Sequence, residues 1–324
     1  MNEHTQNIRI ANFGKRLTNS SSFGILIILI VMCVILSIAS DKFLTFDNVL
    51  SVGRAFSFIA IMAIGECFVI ITGGIDLSVS SVFAISGVVC ALGIKTYDLP
   101  VFIAILLGLA VAMIFGALNG ILTTKVKMPP FIVTLGMLSV ARGLAYSITG
   151  GYPIPNFPVA FKFLGQGYML GVPFPIIMLI LLGIVFTVFL QSTILGRRIF
   201  AIGGNEKAAE ITGVKVDRVK ITVYIISSAL AGLAGIMTAA RLGVAQSTAG
   251  IGYELDTIAA VIIGGASVSG GRGTVVGAIL GAAIMGVLKN GLVLLSVSAY
   301  WQQTVIGCVV ILAVALDRLR YLRQ

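Results

Sequence analysis

Charge is what this chain has least of: 22 Lys and Arg with 12 Asp and Glu make up 10% of its 324 residues, against about 25% in soluble globular domains. A water-facing surface cannot be covered with so little. Histidine is nearly absent too. His4 is the only one, and it lies in the polar start of the chain, so a histidine base or histidine-ligated metal in an apolar segment has no residue to build it. The four cysteines, Cys33, Cys67, Cys90 and Cys308, all fall within apolar runs. Their spacing fits neither a disulfide framework nor a zinc site, and they read as small packing residues. No GxxxxGK[ST] stretch is present, so the chain brings no Walker loop to a nucleotide. With no Ser-His-Asp or Cys-His set either, an enzyme acting by itself is not expected.

What is present is apolar. Hydrophobic residues make up 58% of the chain and the mean hydropathy is +1.09, which places it in a membrane. The runs approach the roughly 20 residues a helix needs to cross hydrocarbon, whereas barrel strands would alternate. Together with 38 glycines, which allow helices to approach closely in lipid, this predicts an all-α polytopic transmembrane helical bundle. About ten spans are expected, near 22–40, 52–72, 78–94, 100–122, 130–148, 173–192, 221–240, 256–268, 274–290 and 299–316. The eighth is short and polar at its start, as a broken or re-entrant helix would be. The run at 23–39 has no clear cleavage site after it and reads as a retained first span.

The +10 net charge is a topology signal rather than a nucleic-acid footprint, because the basic residues sit between apolar runs and at the termini. Arg9, Lys15, Arg16, Lys125, Lys127, Arg197, Arg198, Lys207, Lys215, Arg218, Lys220, Arg272, Arg318, Arg320 and Arg323 fall on one side. Only Lys42, Lys95, Lys162, Arg241 and Lys289 fall on the other. The positive-inside rule then puts both termini in the cytoplasm, with tails at 1–21 and 318–324 flanking a membrane domain at 22–317. The longest outer segment, 149–172, carries three prolines and little charge; it is either a plain connector or a receiving surface.

Polar residues interrupt the grease at a few places. Gly196–Val216 is the most charged, GRRIFAIGGNEKAAEITGVKV. Gly203 and Gly204 can end a helix, Asn205 can cap the next, Glu206 suits its positive end and Gly213 can terminate it. This predicts a short helix across the cytoplasmic mouth, in a loop at 195–220, whose Ala208 and Ala209 would let another surface approach. A solvated lipid-facing loop is the alternative. In TGGIDLSVSS the glycines suggest an interrupted helix, with Asp76 or Ser78 capping the next span or placing polar groups near a pathway. Glu66 lies inside the second span, where an acid must face protein or water; Arg54 and Arg142 are candidate partners, and proton coupling is another option. Asn119, Gln246, Glu254, Asp256 and Asn290 complete the polar set, whose amides and carboxylates suit a hydroxyl-rich cargo or tie helices together. Gly116–Gly120 and Gly277–Gly281 have the GxxxG spacing of close helix contacts. Gly73–Ser80 and Gly264–Gly271 share a double glycine with serines, a weak internal repeat.

The stretches TGGIDLSVSS, PPFIVTLG, GRRIFAIGGNEKAAEITGV and AGIGYELDTIAAVIIGGASVSGGRGTVVGAILGA resemble the permease subunits of bacterial ABC importers for ribose, xylose, galactosides and related sugars. The likeness runs from about Phe43 to the end. It implies a monosaccharide permease of the bacterial inner membrane, ribose or a related pentose being the expected cargo, with no ATPase site or cofactor of its own. ATP and Mg would be used by a separate cytoplasmic ATPase. An extracytoplasmic sugar-binding protein would deliver cargo, and a second permease copy would complete the pore in the lipid. The resemblance makes Asn205, Glu206, Ala208, Ala209 and Gly213 the coupling helix for the ATPase. Glu66, Asp76, Ser78, Asn119, Gln246, Glu254, Asp256 and Asn290 would line the translocation pathway, with no metal site. A permease for another solute (other sugar, nucleoside or branched-chain amino acid) and a self-sufficient proton-coupled transporter are the alternatives.

Overall fold

A computed structural model describes residues 21–322; the tail bearing His4, Arg9, Lys15 and Arg16, and Arg323 at the other end, lie outside the described residues. Each apolar run is taken by a helix. In chain order these are α1 (Ser21–Ala39), α2 (Phe46–Ile71), α3 (Val79–Lys95), α4 (Val101–Thr124), α5 (Pro130–Thr149), the short α6 (Val159–Gln166), α7 (Phe174–Ser192), α8 (Ile194–Gly204), α9 (Glu206–Ile211), α10 (Val216–Leu242), α11 (Tyr253–Ile263), α12 (Val275–Leu294) and α13 (Ala299–Leu322). Helices α2, α4, α5, α7, α10 and α12 are long and apolar enough to cross a membrane, by length and composition. Helix α11, with 11 residues, rises roughly 16 Å, about half the ~30 Å hydrocarbon core. The eighth run is thus a half-helix.

Helix α10 is the hub, packed against α2, α3 and α4. Glycine makes that packing possible. A Cβ on Gly120 would stand 2.6 Å from Ile221 Cα, and one on Gly65 2.7 Å from Ser227 Cα, closer than a methyl group can come. At Gly116 a Cβ would press on the Tyr224 carbonyl, so the pair Gly116 and Gly120 lets α4 lie backbone to backbone on α10. Gly277 and Gly281 play the same part on α12, where a Cβ would overlap the carbonyl oxygens of Gly264 and Ala260. Lipid gives no hydrophobic drive between helices, so close van der Waals packing of this kind holds the bundle together.

The two glycine-serine stretches are alike in three dimensions. After α2, Gly73 takes φ +78°, donating to Ile70 O at 2.9 Å while Gly74 donates to Val69 O at 3.0 Å. After α11, Gly265 takes φ +87°, donating to Ile262 O at 2.9 Å while Ala266 donates to Val261 O at 3.1 Å. Both are left-handed helix endings that need glycine. They also touch, through the Gly271 N–H to Ile71 O bond of 2.9 Å.

Small strands supplement the helices. β1 (Ile154–Pro155) pairs antiparallel with β4 (Val244–Ala245), and β2 (Tyr168–Met169) with β3 (Val172–Pro173). The segment 149–172 is therefore folded, with α6 packed on α10.

Candidate functional site

The break between α2 and α3 gathers four of the expected polar residues. Glu66, Asp76, Ser78 and Asn119 have no exposed surface. Glu66 Oε1 accepts the Asp76 N–H at 3.0 Å, and Asp76 Oδ1 accepts both the Ser78 N–H at 2.9 Å and the Ser78 hydroxyl at 2.6 Å. Because that hydroxyl's proton is committed to Asp76, Asn119 meets Ser78 as donor, Nδ2 to Oγ at 2.8 Å. Thr134 of α5 closes the outside of the turn, its hydroxyl donating to Ile75 O at 3.1 Å. The break thus has partners for its backbone, as membrane-depth irregular structure requires. One expectation is corrected: Ser78 stands at the N-cap of α3 without bonding its free N–H groups, since its hydroxyl serves Asp76. Glu66 Oε2, Asp76 Oδ2 and Asn119 Oδ1 have no partner among the described residues.

Neither candidate arginine reaches Glu66. Arg142 donates Nη1 to Ser247 O at 2.5 Å and to Ala249 O at 2.8 Å, and Nη2 to Ser80 O at 3.1 Å. Arg54 stacks on the Tyr168 ring, 4.9 Å from its centroid. Among the described residues the buried acids are held by hydrogen bonds and by no ion pair.

The other expected pathway residues stand apart from this network. Gln246 is exposed after β4, and Glu254 and Asp256 occupy the first turn of α11. Asp256 pairs with Lys289 of α12, and Lys289 also faces the Tyr253 ring at 5.7 Å. Asn290 exchanges amide bonds of 2.8 and 3.1 Å with Asn48, fastening α12 to the first turn of α2. Asn48 and Lys289 were not legible as partners, because pairings across 242 and 33 residues leave no local signal.

The charged loop forms the expected short helix. Asn205 breaks the chain with φ −160° and ψ 104°, and its side chain caps α9 by accepting the Ala208 N–H at 3.0 Å. The break falls one residue later than the glycines suggested, since α8 runs through Gly203 and Gly204. Gly203 has a packing role: a Cβ there would overlap the Ile71 carbonyl at the end of α2. Gly213 turns the chain at φ +85°, and Glu206 pairs with Lys220 of α10 at 2.6 Å. Ala209 points inward, 4% exposed within the core, so it seats the helix rather than offering a surface. Ala208 is exposed. The apolar residue presented outward is Ile211, 87% exposed, which sequence reading passed over because one isoleucine in a charged loop looks like core.

Among the described residues no three His, Cys, Asp or Glu side chains converge on a metal position, and the four cysteines are free thiols.

Comparison with known proteins shows the family of the chain. The profile of a family described as "branched-chain amino acid transport system / permease component" matches residues 48–314. The chain is 45% identical to the ribose import permease protein of Bacillus subtilis (strain 168), over 90% of each chain. To the ribose import permease protein of Escherichia coli (strain K12) it is 43% identical, over 90% of this chain and 92% of that one. The galactose/methyl galactoside import permease protein of the same E. coli strain is 33% identical, over 95% and 97%. No solved structure matches the chain. A profile match over residues 48–314 and likeness along nine-tenths of its length show that the chain belongs to the permease-component family of branched-chain amino acid transport systems.

Proposed function

We propose that the chain is the transmembrane permease of an ABC importer for ribose or a closely related sugar. It is a multi-pass protein of the bacterial inner membrane, and a transport component rather than a catalyst. The sugar class comes from the relatives' names: the chain resembles ribose permeases at 40–45% identity and the galactose permease at 33%. The family takes its description from amino-acid transport, but the graded likeness favours a sugar.

In this reading both termini are cytoplasmic, a second copy of the chain completes the pore, and an extracytoplasmic binding protein delivers sugar. A separate ATPase supplies the work, with ATP and Mg bound there. The observation that carries the reading is helix α9, capped by Asn205, seated by Ala209 and presenting Ile211. Its mechanical route inward is short. Helix α8 rests through Gly203 on the end of α2 at Ile71, and a turn beyond lies the Glu66–Asp76 hydrogen bond that shapes the break before α3. A push on α9 by a closing ATPase pair therefore bears on the start of α3 through packed backbone. Because ligands shift equilibria only through differential affinity, weak polar contacts along the path suffice for the sugar.

The test is co-purification in mild detergent with the ATPase encoded beside it. Ile211→Arg is expected to lose the ATPase while eluting as a folded permease. An unchanged yield of ATPase with Ile211→Arg contradicts docking at α9. The acids at 66 and 76, buried without a cationic partner among the described residues, favour a second reading, uptake driven by a proton gradient by this chain alone; sugar accumulation in vesicles lacking the ATPase would establish it.

A further inference from the structure

Residues 246–252, QSTAGIG, enter the membrane domain without forming a helix. Their depth follows from what they touch. Gly235 of α10 packs on the backbone of Phe83, and from Gly235 to the end of α10 at Leu242 is seven residues, roughly 10 Å. A Cβ on Gly250 would stand 2.9 Å from Phe83 Cδ1 and 3.3 Å from Ser80 O. After leaving α10 the chain therefore turns back about 10 Å to the level of the first turn of α3, and only there does α11 begin. Two helix starts, those of α3 and α11, meet at this depth around the Phe83 and Tyr253 rings, whose centroids are 5.6 Å apart.

Irregular backbone at this depth leaves carbonyl groups to be satisfied, and Arg142 satisfies them. Its guanidinium takes Ser247 O and Ala249 O on one side and Ser80 O on the other, at 2.5, 2.8 and 3.1 Å. One charged fork from α5 thus bridges the turned-back segment to the start of α3. Among the described residues no carboxylate lies within ion-pair distance of it. Its donors are spent on neutral backbone, while Glu254 acts on the charge from beyond ion-pair distance, an expensive placement inside a span and one that marks function rather than packing. Beside the bridge lies a narrow recess lined by Phe83, Gly87, Thr238, Leu242, Gln246 and Ala249. Two hydroxyl oxygens here, Ser80 Oγ and Thr238 Oγ1, are buried without a hydrogen-bond partner among the described residues.

We propose that Arg142 is a positioning residue that latches segment 246–252 against the start of α3 as the gate on the substrate path. When the latch parts, guanidinium donors are left facing carbonyl and hydroxyl acceptors. That is the complement of a neutral, hydroxyl-rich molecule, whose hydroxyls both donate and accept. The bonds that close the gate are thus exchanged for bonds to a passing sugar. The start of α3 is also where the route from α9 through Ile71, Glu66 and Asp76 ends, so the movement that opens the gate is delivered to one of its two jaws. This inference rests on the importer reading.

The experiment compares wild type, Arg142→Lys and Arg142→Gln, each reconstituted with the ATPase and binding protein. Passive flux of labelled ribose without ATP, accumulation with ATP, and amide hydrogen exchange are the readouts. Arg142→Gln is expected to raise passive flux at least tenfold, abolish net accumulation, and speed exchange selectively at 246–252. Arg142→Lys, whose point charge cannot bridge three carbonyls as a planar fork does, should move all three in the same direction by less, and it carries the test if the glutamine variant does not fold. Arg142 variants that remain as tight as wild type, or that exchange no faster at 246–252, overturn the latch while a wild type that accumulates ribose keeps the importer reading. A wild type that accumulates nothing with ATP overturns the importer reading, and the exchange data then decide the latch by themselves.

Discussion

Single side chains in this protein separate into those that shape backbone and those that stand outward, and substitution tells them apart. Glu66 accepts the Asp76 N–H through Oε1, a bond that a glutamine carbonyl can replace. Glu66→Gln is therefore expected to melt within about 1 kcal/mol of wild type, whereas Glu66→Ala orphans a buried donor and costs about 1–3 kcal/mol. Thermal unfolding in detergent measures the difference; equal losses in both variants would mean that the acid's charge, and not its bond, is what the site needs. At α9 the contrast is between neighbours. Ala209 is buried and Ile211 exposed, so Ala209→Arg forces a long cation into packed core and lowers the melting temperature, while Ile211→Arg does not. If the Ala209 variant melts like wild type, the helix is not seated as described.

Elements here are held by close approach and by caps more than by amphipathic faces. Replacing Gly120 by leucine would drive side-chain atoms into Ile221, whose Cα lies 2.6 Å from where a Cβ would sit, and overpacking of that kind costs about 1–3 kcal/mol or more. The expected result is loss of monodisperse protein on gel filtration, and a well-behaved Gly120→Leu protein would show that α4 and α10 can separate. Asn205→Ala removes the cap that α9 relies on, at about 1 kcal/mol, enough to fray a six-residue helix and weaken ATPase capture without unfolding the bundle. Much of this was legible beforehand. The apolar runs located the long helices, with ends off by up to six residues at Phe46 and Leu322, the GxxxG pairs gave close contacts, and Asn205 with Gly213 bracketed a short helix, because each of these is a local pattern; of the ten expected spans, six are long and apolar enough to cross a membrane among the described residues. What stayed hidden depends on contacts distant in sequence. Arg142 as a bridge to Ser247 and Ala249, Lys289 beside Asp256, Asn48 against Asn290, and the pairing of Ile154 with Ala245 leave no periodicity to read. For the same reason Glu66 was matched to arginines that turn out to be engaged elsewhere.

The molecule as a whole joins an outward-presented helix to a buried break and a turned-back segment through backbone packed on backbone, with Gly203, Ile71 and Gly271 at the crossing. Such contacts transmit displacement with little give, since close-packed interiors resist compression. In the proposed importer the path opens only when the ATPase pushes on α9. The most direct measurement is uptake of labelled ribose into proteoliposomes holding the permease, with the ATPase, the binding protein, ATP and a proton gradient supplied in turn. Accumulation that needs ATP and both partners, and that disappears with Ile211→Arg, is the predicted result. Accumulation by the permease alone under a proton gradient, indifferent to Ile211→Arg, would contradict the account.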